Sequence, residues 1–191
     1  MLIFAAVAYD RPQEKETIFI EETIFYRIGA GDKTAFCELY EKTRNAVFSY
    51  ALSLLCNRED AEDAMQETYL KIRSAAHLYQ PMGKPMAWVF TIARNVCMMK
   101  FRQRKHYSGV SLDEIREDID CSDIEDREDR IVLETAFHIL SREECQIIVL
   151  YAVSGLKHRE ISELLSIPLS TVLSKYNRGI KKLRKQLEER L

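Results

Sequence analysis

The sequence has few of the residues that make disulfides, long loops or membrane spans. Among its 191 residues are only 6 Gly and 4 Pro, so collagen-like, Pro-rich or long disordered stretches are not expected. Its 5 Cys are widely spaced and form no CxxC pair, which argues against a disulfide framework and a zinc site. No apolar run reaches membrane-spanning length, and the apolar residues 1–8 lack the basic and small-residue marks of a signal peptide. We therefore expect a cytoplasmic, globular protein that binds no metal.

Motifs for catalysis are missing as well. There is no P-loop, no GxSxG and no HExxH, and the four His residues are scattered along the chain. We expect neither an enzyme nor a bound cofactor.

Charge is segregated along the chain, although the net charge is only −2. Residues 68–112 carry +8 with no acidic residue, and residues 168–191 carry +5. Residues 1–67 and 113–130 are acidic, at −6 and −7. Because a polyanion responds to the local potential rather than to the net charge, the two basic segments are candidate nucleic-acid-binding surfaces.

Helical periodicity dominates the chain, and no segment alternates as a strand does. We predict an all-α protein of two small helical domains joined by an acidic linker. The predicted domains span residues 22–105 and 131–191, with the linker at 106–130. Residues 1–21 form an N-terminal extension whose order the sequence leaves open.

Capping residues and apolar periodicity predict the helix bounds. Asp32 is placed to cap a helix, and Pro85 to begin one. The predicted helices lie at about 18–28, 33–55, 59–76, 85–101, 131–139, 142–153, 157–165 and 168–189. The last two are separated only by Ser166 and Ile167, a spacing typical of a helix-turn-helix.

The last predicted helix has an apolar stripe on one face and hydroxyl and basic side chains on the other. Hydroxyls and an Arg near the start of such a helix can reach base edges, while later lysines neutralise phosphates. An ordinary solvated basic helix is the alternative. The candidate DNA-binding residues are Ser170, Thr171, Ser174, Lys175, Arg178, Lys181 and Lys182.

Aromatic residues are interleaved with the basic residues of segment 68–112, as on surfaces that stack unpaired bases. Tyr79 and the turn that follows it are well placed to contact a splayed base. Trp88 lies in an apolar helix, where core packing is the more ordinary role. Asn95 in the same helix either pairs with adenine or makes a buried hydrogen bond.

Asp63, Gln66, Glu67 and Leu70 recur at helical spacing and form one face. An acidic face of this kind is usually solvated. With one exposed leucine it also suits a protein partner that presents a basic helix.

Four motifs, in this order, resemble a known family. They are GDKTAFCELY (31–40), EDAEDAMQETYLKI (59–72), AWVFTIARN (87–95) and EISELLSIPLSTVLSKYNRGIKKLRKQL (160–187). Together they resemble a bacterial RNA polymerase sigma factor of the small, two-domain extracytoplasmic-function type. The rival interpretations are a stand-alone helix-turn-helix transcriptional regulator and, less favoured because catalytic groups are missing, a nucleic-acid enzyme.

The resemblance implies a promoter-specificity subunit, with region 2 over residues 22–105 and region 4 over residues 131–188. The Asp63 face would bind core RNA polymerase, and the helix that begins near Pro168 would recognise the minus-35 element. The partners implied are core polymerase, promoter DNA and an anti-sigma factor. The residues implied in binding and melting the minus-10 element are Tyr79, Gln80, Lys84, Trp88, Arg94, Asn95, Arg102 and Arg104.

Four residues depart from the family pattern: Met99, Cys145, Ser166 and Leu173. Ser166 occupies a turn position that is usually Gly, so we predict a non-Gly residue with positive φ there.

Overall fold

A computed structural model describes residues 18–108 and 138–188, which belong to two separate compact bodies. Described residues 18–108 are called the first body, and described residues 138–188 the second body. Both consist of helices and turns, and no strand occurs in either range, which confirms the predicted all-α class. The acidic segment 113–130 and most of the helix predicted at 131–139 lie outside the described residues.

The first body is built around three long helices. Its third helix packs against both the second and the fourth, and its first helix packs on the second and on a short 3-10 turn. Large side chains that are fully buried here include Phe25, Leu39, Tyr50, Ile72 and Phe90. The elements are α1 (Thr23–Gly29), α2 (Lys33–Leu55), α3 (Arg58–Ala75), the 3-10 turn (Ala76–Leu78) and α4 (Pro85–Ser108).

Asp32 begins α2 as the sequence predicts. Its Oδ1 accepts hydrogen bonds from the backbone N–H groups of Thr34, at 2.9 Å, and Ala35, at 3.2 Å. Arg27 of α1 lies 2.8 Å from the same carboxylate. The cap therefore also ties α1 to α2.

The Asp32→Ala variant is expected to lower the Tm of the first body by a few degrees at neutral pH, since an N-cap is lost. Hydrogen bonds from Thr34 and Ala35, together with Arg27, lower the pKa of Asp32 from 3.8 to about 2. A lowered pKa in the folded state means that stabilisation is present above about pH 4 and is lost as the pH falls towards 2. The Tm difference from wild type should therefore shrink over that interval.

Thermal melts followed by the fluorescence of Trp88, the single tryptophan of the chain, measure this difference. Glu41→Ala, which removes an exposed ion pair on the same helix, is the matched control and should melt like wild type. Equal Tm values for Asp32→Ala and wild type at neutral pH would contradict the role of Asp32 as the N-cap of α2.

The second body consists of α5 (Arg142–Ala152), α6 (His158–Leu165) and α7 (Leu169–Glu188). α7 packs on both of the other helices. A Cβ added at Gly179 of α7 would lie 2.7 Å from Cδ1 of Ile148, so α7 approaches α5 closely at this glycine. α6 and α7 form the predicted helix-turn-helix, and Ser166 between them has a φ of 57°, which confirms the predicted positive φ.

Two helix bounds differ clearly from the prediction. The first helix begins at Thr23 rather than near residue 18, and the side chain of Glu22, its N-cap residue, is bonded to a distant turn, described below. The fourth continues to Ser108 rather than ending near residue 101. Residues 102–108 contain no Gly or Pro and include good helix formers, so nothing local stops the helix. The other described bounds agree within about two residues, the usual ambiguity of helix ends.

Candidate nucleic-acid interface

α3 turns one face inward and leaves an acidic face outward. Ala61, Ala64 and Ile72 are buried, whereas Leu70 is 65% exposed. The residues of the predicted face, Asp63, Gln66, Glu67 and Leu70, are named the α3 acidic face; all are exposed except Glu67, which is half-buried.

Two carboxylates of the α3 acidic face have basic neighbours. Glu67 lies 3.0 Å from Lys71, and Asp63 lies 3.5 Å from Lys100 of α4. Both pairs are solvent-accessible, so they contribute little to stability and remain available to a partner.

An aromatic cluster joins α1 to the start of α4. The buried ring of Phe25 lies 4.3 Å from the ring of Tyr79 and 4.8 Å from that of Trp88, and the last two are 5.3 Å apart. Tyr79 and Trp88 are both half-buried. The core-packing role weighed for Trp88 is therefore present in this cluster, while part of each ring remains accessible.

Residues 79–84, named the 79–84 turn, connect the 3-10 turn to α4. Gln80 is exposed and Lys84 is half-buried. Gly83 has a φ of 71°, a conformation that favours glycine. The carboxylate of Glu22 accepts hydrogen bonds from the Tyr79 hydroxyl and from the backbone N–H groups of Met82, at 3.0 Å, and Gly83, at 2.8 Å.

Three of the remaining candidates have described side chains on α4. Arg94 is half-buried, and Asn95 and Arg102 are exposed. The exposure of Asn95 excludes the buried hydrogen bond that the sequence had left as an alternative. Arg104 lies in the last turns of the same helix.

The candidates of the second body all lie on α7. Ser170, Ser174 and Arg178 are exposed, and so are Lys181 and Lys182. Thr171 and Lys175 are half-buried.

Three of these basic residues have carboxylate neighbours on α5, which the sequence analysis did not predict. Lys175 Nζ lies 2.5 Å from Glu143, and Lys182 Nζ lies 2.7 Å from Glu144. Arg178 Nε lies 3.9 Å from Glu144. The outward placement of Arg178 and Lys182 agrees with their exposure, and α5 in addition supplies counter-charges across the helix contact.

Glu144 is the buried member of these pairs, with 2% of its side chain exposed. It also accepts a hydrogen bond from the backbone N–H of Ser141 at 2.9 Å, within a capping box at the start of α5. Burial acts to raise the pKa of Glu144, but the hydrogen bonds from Lys182 and Ser141 outweigh it and lower the pKa. The charged form is favoured at neutral pH.

The sequence analysis missed Glu22, Phe25 and Glu144. Glu144 had a readable signal, since Ser141 and Glu144 have the S-x-x-E spacing of a capping box. No sequence pattern could have identified Phe25 and Glu22, because their partner Tyr79 lies more than fifty residues away along the chain.

The four departures from the family pattern have different surroundings. Met99 and Leu173 are exposed, whereas Cys145 is buried in α5. Ser166 forms the turn of the helix-turn-helix. Of the four, only Leu173 lies on α7, beside the exposed Ser174.

Within residues 18–108 and 138–188, no cluster of His, Cys, Asp or Glu side chains is arranged to hold a metal ion. In those same ranges, no helix is both long and apolar enough to cross a bilayer.

Comparison with known families matches both bodies. Residues 39–107 match the family described as Sigma-70 region 2, and residues 130–183 match Sigma-70, region 4. A relative from Mycobacterium sp. (strain KMS), an ECF RNA polymerase sigma factor SigK, is 28% identical over 171 residues, covering 85% of this chain and 88% of that protein. The SigK protein of Mycobacterium tuberculosis (strain ATCC 25618 / H37Rv) is 27% identical over 175 residues, covering 87% and 93%.

Solved structures share the fold. The sigma factor RpoE in complex with the anti-sigma factor NepR from Bartonella quintana matches with a TM-score of 0.65 and 22% identity, covering 80% of this chain and 96% of that one. CnrH in complex with the cytosolic domain of CnrY matches with a TM-score of 0.59 and 20% identity, covering 88% and 97%.

Proposed function

Since this chain belongs to the sigma-70 family, as an extracytoplasmic-function sigma factor that supplies promoter specificity to RNA polymerase, we propose a role for each of its surfaces. The observation that carries the proposal is the match of both regions, in order, to two bodies that each present a suitable surface. The stand-alone regulator is not favoured, because region 2 has no place in such a protein.

The α3 acidic face binds core RNA polymerase in this proposal. Its carboxylates are accessible and can exchange Lys71 and Lys100 for basic groups of the partner. Exposed Leu70 supplies the apolar centre that such a contact needs.

The 79–84 turn and the outer face of α4 bind and help to open the minus-10 element. Exposed Gln80 and Asn95 offer amides to base edges, and Arg102 offers charge to phosphates. Lys84, Arg94 and Arg104 add to that charge, and the accessible parts of Tyr79 and Trp88 supply stacking surface.

α7 recognises the minus-35 element. Ser170, Thr171 and Ser174 lie near its start, where side chains of a recognition helix reach base edges. Lys181 and the paired cations Lys175, Arg178 and Lys182 contact phosphates once α5 releases them.

The proposal also includes the location of the protein, its lack of catalytic activity and its regulation. The protein acts in the cytoplasm, where polymerase and promoters are. It performs no chemistry itself, because the polymerase makes the RNA. It is regulated by an anti-sigma factor, as the partner of the RpoE structure suggests.

Run-off transcription tests this function. Bacterial core polymerase and a pool of promoter fragments are incubated with and without the protein, and the transcripts are sequenced. Defined start sites that depend on the protein support the proposal. Absence of transcripts and of core binding, with DNA binding retained, would favour the stand-alone regulator.

The isolated chain is expected to bind promoter DNA at least about a hundredfold more weakly than the holoenzyme does. Lys182 must leave the buried Glu144 before it can contact a phosphate, and the isolated chain lacks the contacts with core polymerase that offset this cost in the holoenzyme. Fluorescence anisotropy on a selected promoter, with a scrambled duplex as control, measures the ratio. Tight, sequence-specific binding by the isolated chain would refute it.

A further inference from the structure

Glu22 ties the 79–84 turn to the start of α1. Its Oε1 accepts from the hydroxyl of Tyr79, the first residue of the turn, and from the backbone N–H groups of Met82 and Gly83 near its end. The two partners of the first hydrogen bond are 57 residues apart in sequence. A single carboxylate therefore joins both ends of the turn to another helix.

Packing contributes little to the shape of this turn. Residues 80–83 are all exposed to solvent. A Cβ added at Gly83 would meet no atom within 4 Å. Only Tyr79 is anchored by neighbouring rings, those of Phe25 and Trp88. The path of the backbone between Tyr79 and α4 therefore depends mainly on hydrogen bonds to Glu22.

The charge of Glu22 suits this task. Several donors converge on it, and hydrogen bonds to an ionised acceptor are shorter and stronger than neutral ones. The Tyr79 hydroxyl, followed by the N–H groups of the turn, lowers the pKa of Glu22, so the carboxylate is ionised at neutral pH.

We propose that Glu22 is a positioning residue that preforms the 79–84 turn to receive an unpaired base of the minus-10 element. The inference rests on the role proposed above for the first body. A turn without its anchor samples many conformations, and ordering it on binding costs entropy that a preformed turn has already lost. Glu22 acts through the turn and not on DNA, because its carboxylate would repel phosphates.

Base preference is the readout that separates positioning from simple support of the fold. A promoter library randomised in both the minus-10 and minus-35 elements is transcribed by holoenzyme reconstituted with each variant, and the transcribed templates are sequenced. For Glu22→Ala we expect the strongest minus-10 base preference to fall by about tenfold, with minus-35 preferences unchanged. Glu21→Ala, which removes the exposed neighbouring carboxylate, should match wild type at both elements.

Two further arms make the result decisive. Glu22→Gln keeps the size and an acceptor but not the charge, and should give an intermediate loss, even if Glu22→Ala fails to fold as judged by Trp88 fluorescence. Reduced transcript yield with unchanged minus-10 preference in a folded Glu22 variant would overturn the inference and leave a purely structural role. Failure of wild type to select any promoter would instead overturn the proposed function, and this inference with it.

Discussion

Reversing two charges on the α3 acidic face, in the variant Asp63→Arg/Glu67→Arg, is expected to abolish promoter-specific transcription. The partner surface proposed for this face is basic, so two attractions become two repulsions. Like charges placed opposite one another cost several kcal/mol, which corresponds to a loss of core affinity of at least about a hundredfold. Binding of labelled protein to core polymerase, together with run-off transcription, measures the loss.

The fold should survive these substitutions. The pairs that are lost, with Lys100 and Lys71, are solvent-accessible and contribute little to stability. The control Glu21→Arg/Glu41→Arg makes the same change in net charge at two exposed positions of the first body away from α3. It should bind core like wild type. Retained core affinity in Asp63→Arg/Glu67→Arg would remove the α3 acidic face from the proposal.

Glu144→Ala is expected to destabilise the second body by about 2 kcal/mol or more. The substitution removes half of the capping box of α5 and leaves Lys182 without its acid partner across the contact with α7. Urea unfolding of the full chain measures the effect. Trp88 reports on the first body alone, so the midpoint of its fluorescence transition should stay at the same urea concentration. Part of the far-ultraviolet circular dichroism transition, which reports on both bodies, should move to a lower urea concentration.

The neighbouring residue provides the control for that experiment. Glu143 also pairs with a basic residue of α7, but its side chain is 61% exposed. Exposed pairs contribute little, so Glu143→Ala should change stability by no more than about 0.5 kcal/mol. Equal effects of the two substitutions would contradict the role given to Glu144.

Local chemistry explains which parts of the fold could be predicted from the sequence. Asp32 and Pro85 are terminal signals that act within a few residues, and α2 and α4 begin where they predict. The αL conformation of Ser166 follows from its place between two closely spaced helices. Each of these features is determined by neighbours in the chain.

Features that depend on distant residues could not be predicted in this way. Nothing near Glu22 in the sequence indicates that its side chain bonds to a turn near Gly83. The periodicity of α7 marks Lys175 and Lys182 as outward, but it carries no information about the acids that α5 brings to them. The sequence thus predicts which side chains face away from the core, and only the tertiary structure shows which of those have partners.

The pairing of α7 with α5 alters how many small cations DNA would release on binding. Residues 168–191 include 7 Lys and Arg, and that number alone suggests a steep weakening of binding with salt. The steepness is proportional to the number of phosphates that are neutralised, since each displaces condensed counterions. A lysine that keeps its own carboxylate displaces none. Until α5 releases these lysines, binding of α7 to DNA should thus weaken less steeply with salt than its basic composition suggests, and rely more on hydroxyl contacts to base edges.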